Sequence, residues 1–403
     1  MATIWPSTEN LLSEDLLRDI ASGAPEADEQ GVLSTATVDR LRHAGYFGLP
    51  VPVEFCGGGA SLLECAAVQR RLGMADPALA IAVNMHLFSA AMVVEHWLRH
   101  RDSCGLLLEA IATQHRIIAS AFAEPGLGGA LLRSNVKARR MAGGVSVSGF
   151  KAPCSLAAHC DLVCFQMQAD PVESRGVMIA MIPVKAPGIR VERTWDSLGM
   201  RGSGSDTLLF EECFVPEDLI FHRSDPGFDA DEVFAAGLVW FCVTTTATYL
   251  GIVKRAIDVA CDELHRAAPA DVRPPRATLP SVQGQLGELV AATLALEAAC
   301  AQVAVRLDGR QHDPRSLVPL AIAVKHVSID TCVRAVEGSA ELVGAGSYAR
   351  TGRFARAWRD VQAVRFHPPT RLASRQLLGK WALELPFVFE LDERSSGTGS
   401  AKG

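Results

Sequence analysis

The spacing of apolar residues changes twice along this chain, and that change limits the fold more than any other feature. Up to about Thr113 apolar side chains recur every three or four positions, as in Leu11, Leu12, Leu16, Leu17 and Ile20, then Val38, Leu41 and Phe47. This is the period of helices that bury one stripe. "GLPVPVEFCGGGAS" (48–61) interrupts the pattern with Pro and Gly, and Ser61 is placed to cap the helix that follows. From Ile117 to Val215 the period shortens to two. "GVSVSGF" (144–150) and "GIRVERTW" (188–195) alternate, while "DLVCFQM", "VMIAMIP" and "TLLFEECFVP" are short apolar runs, which predicts several short strands. After Pro216 the helical period returns. Leu286, Leu289, Thr293, Leu296, Cys300 and Val303 share one face, as do Ile329, Val333, Val336, Ala340 and Val343. "RAAPADVRPPRATLPS" (266–281) carries too many prolines to be helix and links two long elements.

The order is therefore helical, β, helical. We expect an α+β, mostly α fold with a helical domain over 1–115, a central β domain over 116–226, a helical domain over 227–385 and a flexible tail over 386–403. A chain of 403 residues is long for a single core, in keeping with subdomains packed into one body. The run "FAAGLVWFCVTTTATYLGIV" (234–253) has no charge and is long enough to span a bilayer. Its threonines and Gly237 favour a buried bundle helix instead, so no membrane is expected. A net charge of -6, a pI near 6.0 and the lack of any long Lys/Arg run supply no footprint for nucleic acid. The expected ligand is a small molecule or a carrier-bound one. Eleven scattered cysteines without a C-x-x-C pair read as free thiols of a reducing cytoplasm, with no metal site expected. The N-terminus lacks the charged and apolar regions of a secretory signal, again an expectation of a cytoplasmic protein.

Four stretches resemble the acyl-CoA dehydrogenase superfamily, and together the resemblance runs from about residue 10 to 385. "LGMRGSGSDTLLFEECFVP" (198–216) is similar to the family's Gly-x-Arg-x-Ser signature with its following strand and Val-Pro. "AFAEPGLGG" (121–129) is similar to the flavin-contacting Glu-Pro-Gly loop, and "GFKAPCSLAAHCDLV" (149–163) to the strand that normally carries Trp-Ile-Thr/Ser. "ELVGAGSYARTGRFARAWRDV" (341–361) resembles the Gly-Gly-x-Gly loop and the Arg-Asp pair after it. The resemblance implies a central β-barrel, a C-terminal four-helix bundle, and a homotetramer or homodimer with flavin at the subunit interface. It implies that Phe122, Ala123, Gly128, Gly129 and Ser155 contact the flavin, and that Gly344, Gly346 and Ser347 contact the diphosphate. Glycine-rich backbone suits that task because amides approach an anion closely where no side chain intervenes.

Departures from the pattern bear on the chemistry. Ala123 stands where Thr is usual, Gly129-Ala130 where Ser-Asp is usual, and Pro153 where an indole is expected. The Arg-x-x-Phe-Gly that reaches a neighbouring subunit's FAD is missing, with Arg266, Arg273 and Arg276 as substitutes. FAD is the first expectation, FMN the second, and reduced flavin supplied by a partner reductase a further alternative.

Acyl thioester dehydrogenation needs a carboxylate to remove an α-proton while hydride leaves for the flavin. Counting from Arg359-Asp360, one family position of that Glu is Pro368; the other falls near Phe241, and no carboxylate occurs between Glu232 and Asp258. Both are absent. His367 stands at the spacing at which the flavin monooxygenases of this fold carry a His, and an imidazole is suited to proton transfer at neutral pH. His367 is thus the candidate catalytic residue, with His86, Arg201, Ser205 and Phe241 as candidates for the substrate pocket. Three functions remain open: a flavin-dependent oxidoreductase acting on a CoA- or carrier-protein-bound acyl thioester or a related specialised metabolite; a two-component monooxygenase for hydroxylation or N-oxidation; and a redox-neutral or binding relic of the fold.

Overall fold

The computed structural model describes residues 4–127, 133–170, 177–224, 231–266 and 275–387. The N-terminal part contains α1 (Glu14–Gln30), α2 (Thr35–His43), α3 (Leu62–Ala75), α4 (Pro77–His100) and α5 (Gly105–Thr113). Ser61 caps α3 as its sequence suggests. Its hydroxyl accepts from the Glu64 amide while the Glu64 carboxylate accepts from the Ser61 amide, so two otherwise unpaired donors are satisfied together.

Eight strands follow: β1 (Ile118–Ala121), β2 (Lys137–Met141), β3 (Gly144–Cys154), β4 (Leu162–Asp170), β5 (Val177–Pro183), β6 (Ile189–Glu192), β7 (Asp206–Pro216) and β8 (Ile220–Arg223). They form one sheet in the order β6-β7-β3-β2-β4-β5-β8, with β1 pairing parallel to β4 through Ile118 opposite Leu162. No ladder joins β6 to β8 among the described residues, so the expected barrel is a sheet without hydrogen-bonded closure.

The C-terminal part is α6 (Glu232–His265), α7 (Pro280–Asp308), α8 (Pro314–Val343), α9 (Ala355–Val361) and α10 (Arg371–Ala382). α6, α7 and α8 pack on one another, and α3 of the N-terminal part packs against α6. That crossing is close because of two glycines. A Cβ at Gly73 would lie 2.2 Å from the Thr248 carbonyl oxygen, and one at Gly251 2.2 Å from that of Arg70. Among the described residues four helices, α4, α6, α7 and α8, are long and apolar enough to cross a membrane; the most apolar window of α6 is wholly buried inside the fold. One apolar core runs through all three parts, joining Leu72, Phe165, Tyr249 and Cys332, and a second lies between α4, α5 and the sheet around Phe88, Trp97, Ile111 and Ile179. The three parts thereby meet around a common interior, where the site lies.

Candidate active site

A cavity of about 440 Å³ opens where the helical parts meet the sheet. α4 contributes Ile81, Met85 and Phe88; the chain leaving β1 contributes Phe122 and Ala123; β3 and its turn contribute Pro153 and Ser155. Trp195, the stretch from Ser197 to Met200, Ser203 and Ser205 close a third side, α6 gives Leu238 and Phe241, and the turn after α9 gives Phe366, His367 and Pro368. The lining is mostly apolar. Its one charged residue among those described is Arg359, and no carboxylate lines it. Phe241 and Pro368, the two positions at which the sequence resemblance implies a carboxylate, both line it.

His367 is held from behind. Its Nδ1 lies 3.0 Å from the carbonyl oxygen of Ala363 and 2.9 Å from the Tyr249 hydroxyl. A carbonyl can only accept, which assigns the ring proton to Nδ1 and leaves Nε2 as an acceptor on a half-buried residue that lines the cavity. Burial, with the nearby Lys325 ammonium second, pulls the imidazole down to about 4, so it is neutral near pH 7. Lys325 itself is fully buried and donates to the Val364 carbonyl at 2.9 Å, fixing the turn that carries His367. The Phe241 ring stands 6.5 Å from the His367 ring and 5.6 Å from that of Phe88.

Another part of the lining is hydroxylic. Ser155 Oγ is 2.8 Å from Ser205 Oγ, which is 2.8 Å from Ser203 Oγ, a chain of three hydroxyls beside Pro153. The turn bearing Ser203 and Ser205 is pinned by the Arg-Asp pair. Asp360 accepts the Met200 amide at 2.6 Å, and Arg359 grips Asp28 and donates to the Leu198 carbonyl at 3.1 Å. A Cβ at Gly199 would come within 2.3 Å of the Arg359 carbonyl oxygen, so glycine is required at this contact. Burial pushes the Asp360 carboxyl up to about 7, and one of its oxygens has no partner among the described residues.

The loop before β2 is fastened by a buried ion pair that its sequence does not advertise. Glu124 receives Lys151 Nζ, Ser134 Oγ at 2.6 Å and the Asn135 amide at 2.7 Å. This fixes the chain beside Phe122 and Ala123. The arrangement fits a flavin ring: aromatic and aliphatic faces, a hydroxyl chain at one edge, and a volume within the range of cofactor sites.

Other expected site residues lie elsewhere. His86 is fully buried and outside the cavity lining; its Nε2 is 2.7 Å from the Phe47 carbonyl oxygen and its Nδ1 accepts the Ile118 amide at 3.0 Å. It ties α4 to β1 and has no nitrogen left for a substrate. Arg201 is also outside the lining and donates to the Asp28, Ser197 and Glu29 carbonyls. Gly344, Gly346 and Ser347 sit in the turn that ends α8, away from this lining; Gly344 has a φ of 92°, and Arg276 caps the carbonyls of Leu342 and Val343. Gly128, Gly129 and Arg273 lie outside the described residues. Tyr249 and Lys325 are the residues that sequence reading missed. Tyr249 follows Phe241 by two turns of one helix, the available signal for a polar group on the same helix face.

Comparison with known proteins agrees with this geometry. Residues 14–98, 119–213 and 232–368 match the N-terminal, middle and C-terminal domains of acyl-CoA dehydrogenase. The chain is 28% identical over 352 residues to isobutylamine N-hydroxylase of Streptomyces viridifaciens, covering 86% of this chain and 89% of that protein. It is 27% identical over 372 residues to the amino sugar nitrososynthase DnmZ of Streptomyces peucetius, covering 89% and 88%. Among solved structures, KijD3 in complex with FMN and dTDP-3-amino-2,3,6-trideoxy-4-keto-3-methyl-D-glucose superposes with a TM-score of 0.84 at 25% identity, over 98% of this chain and 97% of that one.

Proposed function

The chain belongs to the acyl-CoA dehydrogenase family and is a flavin-dependent oxidoreductase, and from that premise we propose that it is a monooxygenase that oxidises the nitrogen of a small amine. The observation that carries this reading is the cavity wall: no carboxylate lines it among the described residues, Phe241 and Pro368 stand where the family resemblance implies one, and the imidazole there is a neutral His367. Removal of an α-proton from a thioester has no carboxylate base in this lining. Relatives whose names specify oxidation of amines, at 27–28% identity over most of the chain, support the same reaction class.

When bound, reduced flavin supplies the two electrons by which O2 is divided between the oxygen atom placed on nitrogen and a molecule of water. The chain's own residues set up the amine. An ammonium in an apolar cavity without a counter-charge is costly, so the free base is the form that binds. His367 Nε2 accepts one N–H of the amine and turns its lone pair away from the imidazole, while the Nδ1–H contacts with Ala363 and Tyr249 hold the tautomer. Ser155 and Ser205 would donate to a bound flavin, and Phe88, Phe122 and Phe241 exclude water. FMN or FAD suits the wall; a partner reductase would deliver the electrons.

Gly344, Gly346 and Ser347 do not share this cavity, which supports a role toward the flavin of a second subunit. Exposed Leu294 and Val305 on α7 and Val327 on α8 offer the apolar face for such a homo-oligomer. The functional reading is tested by supplying the protein with O2, a flavin reductase, reduced FMN or FAD, and a panel of small primary amines and acyl thioesters. A product heavier than its amine by one oxygen, formed only with reduced flavin and O2, is expected. Consumption of a thioester in the absence of O2 would overturn it.

A further inference from the structure

We propose that His96, Asp102 and Cys104 form a binding site for a divalent transition cation of the zinc type, separate from the flavin cavity. The ring nitrogen, carboxylate oxygen and sulfur that these residues offer lie within 4.8 Å of one another. Tetrahedral zinc with these ligands needs separations of roughly 3.3–3.6 Å, a small closing movement. His96 Nε2 already stands 2.9 Å from Asp102 Oδ2. The loop is shaped to hold this. The chain leaves α4 at Arg101 in a left-handed conformation (φ 51°), with its guanidinium 3.8 Å over the Trp97 ring. Asp102 Oδ1 accepts the Cys104 amide at 3.1 Å, which turns Oδ2 toward His96.

A second, independent observation is the support behind His96. Its Nδ1 is 3.2 Å from Nδ1 of His222 on β8, and His222 Nε2 is 2.9 Å from Asp231 Oδ2. Asp231 is itself fixed, since its Oδ1 caps α6 through the Phe234 amide at 2.9 Å. Imidazole ligands of metals are commonly oriented by just such a chain ending in a carboxylate. Counting protons shows what the chain lacks. The contacts Asp102···His96···His222···Asp231 need three ring protons, whereas two neutral imidazoles carry two. A cation on His96 Nε2 removes the need for the third: His96 Nδ1–H then donates to His222, and His222 Nε2–H to Asp231. An extra proton on one imidazole is the competing solution, and the cation titration separates the two.

The donor set chooses the cation. Thiolate with imidazole and one carboxylate favours zinc-like ions over calcium or magnesium. Three protein ligands leave a fourth position open, and Asp102, with its side chain 45% exposed, puts it at the solvent side. Thiolate is the form that binds such a cation, so binding releases the thiol proton.

The test uses the full chain stripped with a chelator, then titrated with Zn²⁺ alone against a chromophoric chelator, and with Co²⁺ by absorbance. The expected result is one saturable site per chain, with proton release and a near-ultraviolet thiolate-to-Co²⁺ band that Cys104→Ser abolishes. Asp102→Asn removes the site, and His222→Gln, a positioning change, weakens binding by about 10- to 100-fold with flavin content unaltered. No saturable site, no thiolate band, or equal affinity in Cys104→Ser and Asp102→Asn would overturn the proposal. Asp102→Asn changes a half-exposed side chain, so it reads the site even if a variant at His96 fails to fold.

Discussion

Lys151→Met should be among the most damaging single changes outside the apolar core. The Lys151 side chain is 0% exposed and that of Glu124 2% exposed, and the two form an ion pair between β3 and the loop after β1. Without the ammonium, Glu124 keeps the Ser134 hydroxyl and Asn135 amide but becomes a buried charge with no counter-ion. Breaking one side of such a pair costs about 3–5 kcal/mol. For 403 residues the entropy of unfolding is about 0.85 kcal/mol/K, which converts this to a fall in Tm of roughly 4–6 °C. The double variant Lys151→Met/Glu124→Gln removes both charges and keeps an acceptor for Asn135, so it should recover most of the loss. Because the pair fixes the chain beside Phe122 and Ala123, the single variant should also bind flavin more weakly. Thermal unfolding and flavin fluorescence titration of the wild type, both singles and the double complete the cycle. A single variant within about 1 °C of wild type, or a double no better than the single, would refute the reasoning.

Other predictions follow from the same contacts. His367→Ala should lower kcat about 100-fold while leaving flavin content unchanged, since the imidazole touches substrate and its loss removes the acceptor; unchanged turnover would exclude the role. Activity should lack an acid limb near 6.5, because His367 remains neutral down to about 4, and should rise with pH as the amine loses its proton. The same depressed value makes its stability contribution rise with pH between about 4 and 6.5, where the unfolded chain binds the extra proton; His367→Gln should flatten that slope in pH-dependent unfolding. Asp360 works in the opposite direction. Its pKa, raised to about 7, gives a stability contribution that is present below about 3.8 and lost as pH rises through 7, so Asp360→Asn should gain on wild type across that window while retaining the Met200 contact. Phe241→Ala should cost about 3–5 kcal/mol and admit bulkier amines, measured by Tm and by the product profile.

The framework was legible because it is written in periods. Ser61 announces a capped helix, the alternation of 144–150 announces β3, and the prolines of 266–281 announce the break before α7. Counting along the chain also brought Phe241, Pro368 and His367 to one wall, since each count started from a fixed neighbour. What escaped are contacts between distant residues. Tyr249 meets His367 across 118 positions, and Lys151 meets Glu124 across 27, with no local pattern to mark either. His86 shows the converse: a histidine in an apolar helix looks available, yet two backbone groups from other segments satisfy both of its nitrogens. The metal-like triad escaped for another reason, since His-x5-Asp-x-Cys crosses a helix end and a turn and follows no familiar ligand spacing. The order of the functional alternatives changes with the cavity. From sequence, thioester oxidation with a base other than Glu comes first; the apolar wall and the neutral His367 beside it favour the oxygenase alternative.

The central claim is tested most directly by a single turnover in labelled oxygen. The protein, loaded anaerobically with reduced flavin and a turned-over amine, is mixed with ¹⁸O2, and the product is weighed. The account predicts one ¹⁸O atom on nitrogen and its loss in His367→Ala. An unlabelled product that has lost two hydrogens, or bleaching of oxidised flavin by an acyl thioester without O2, would contradict it.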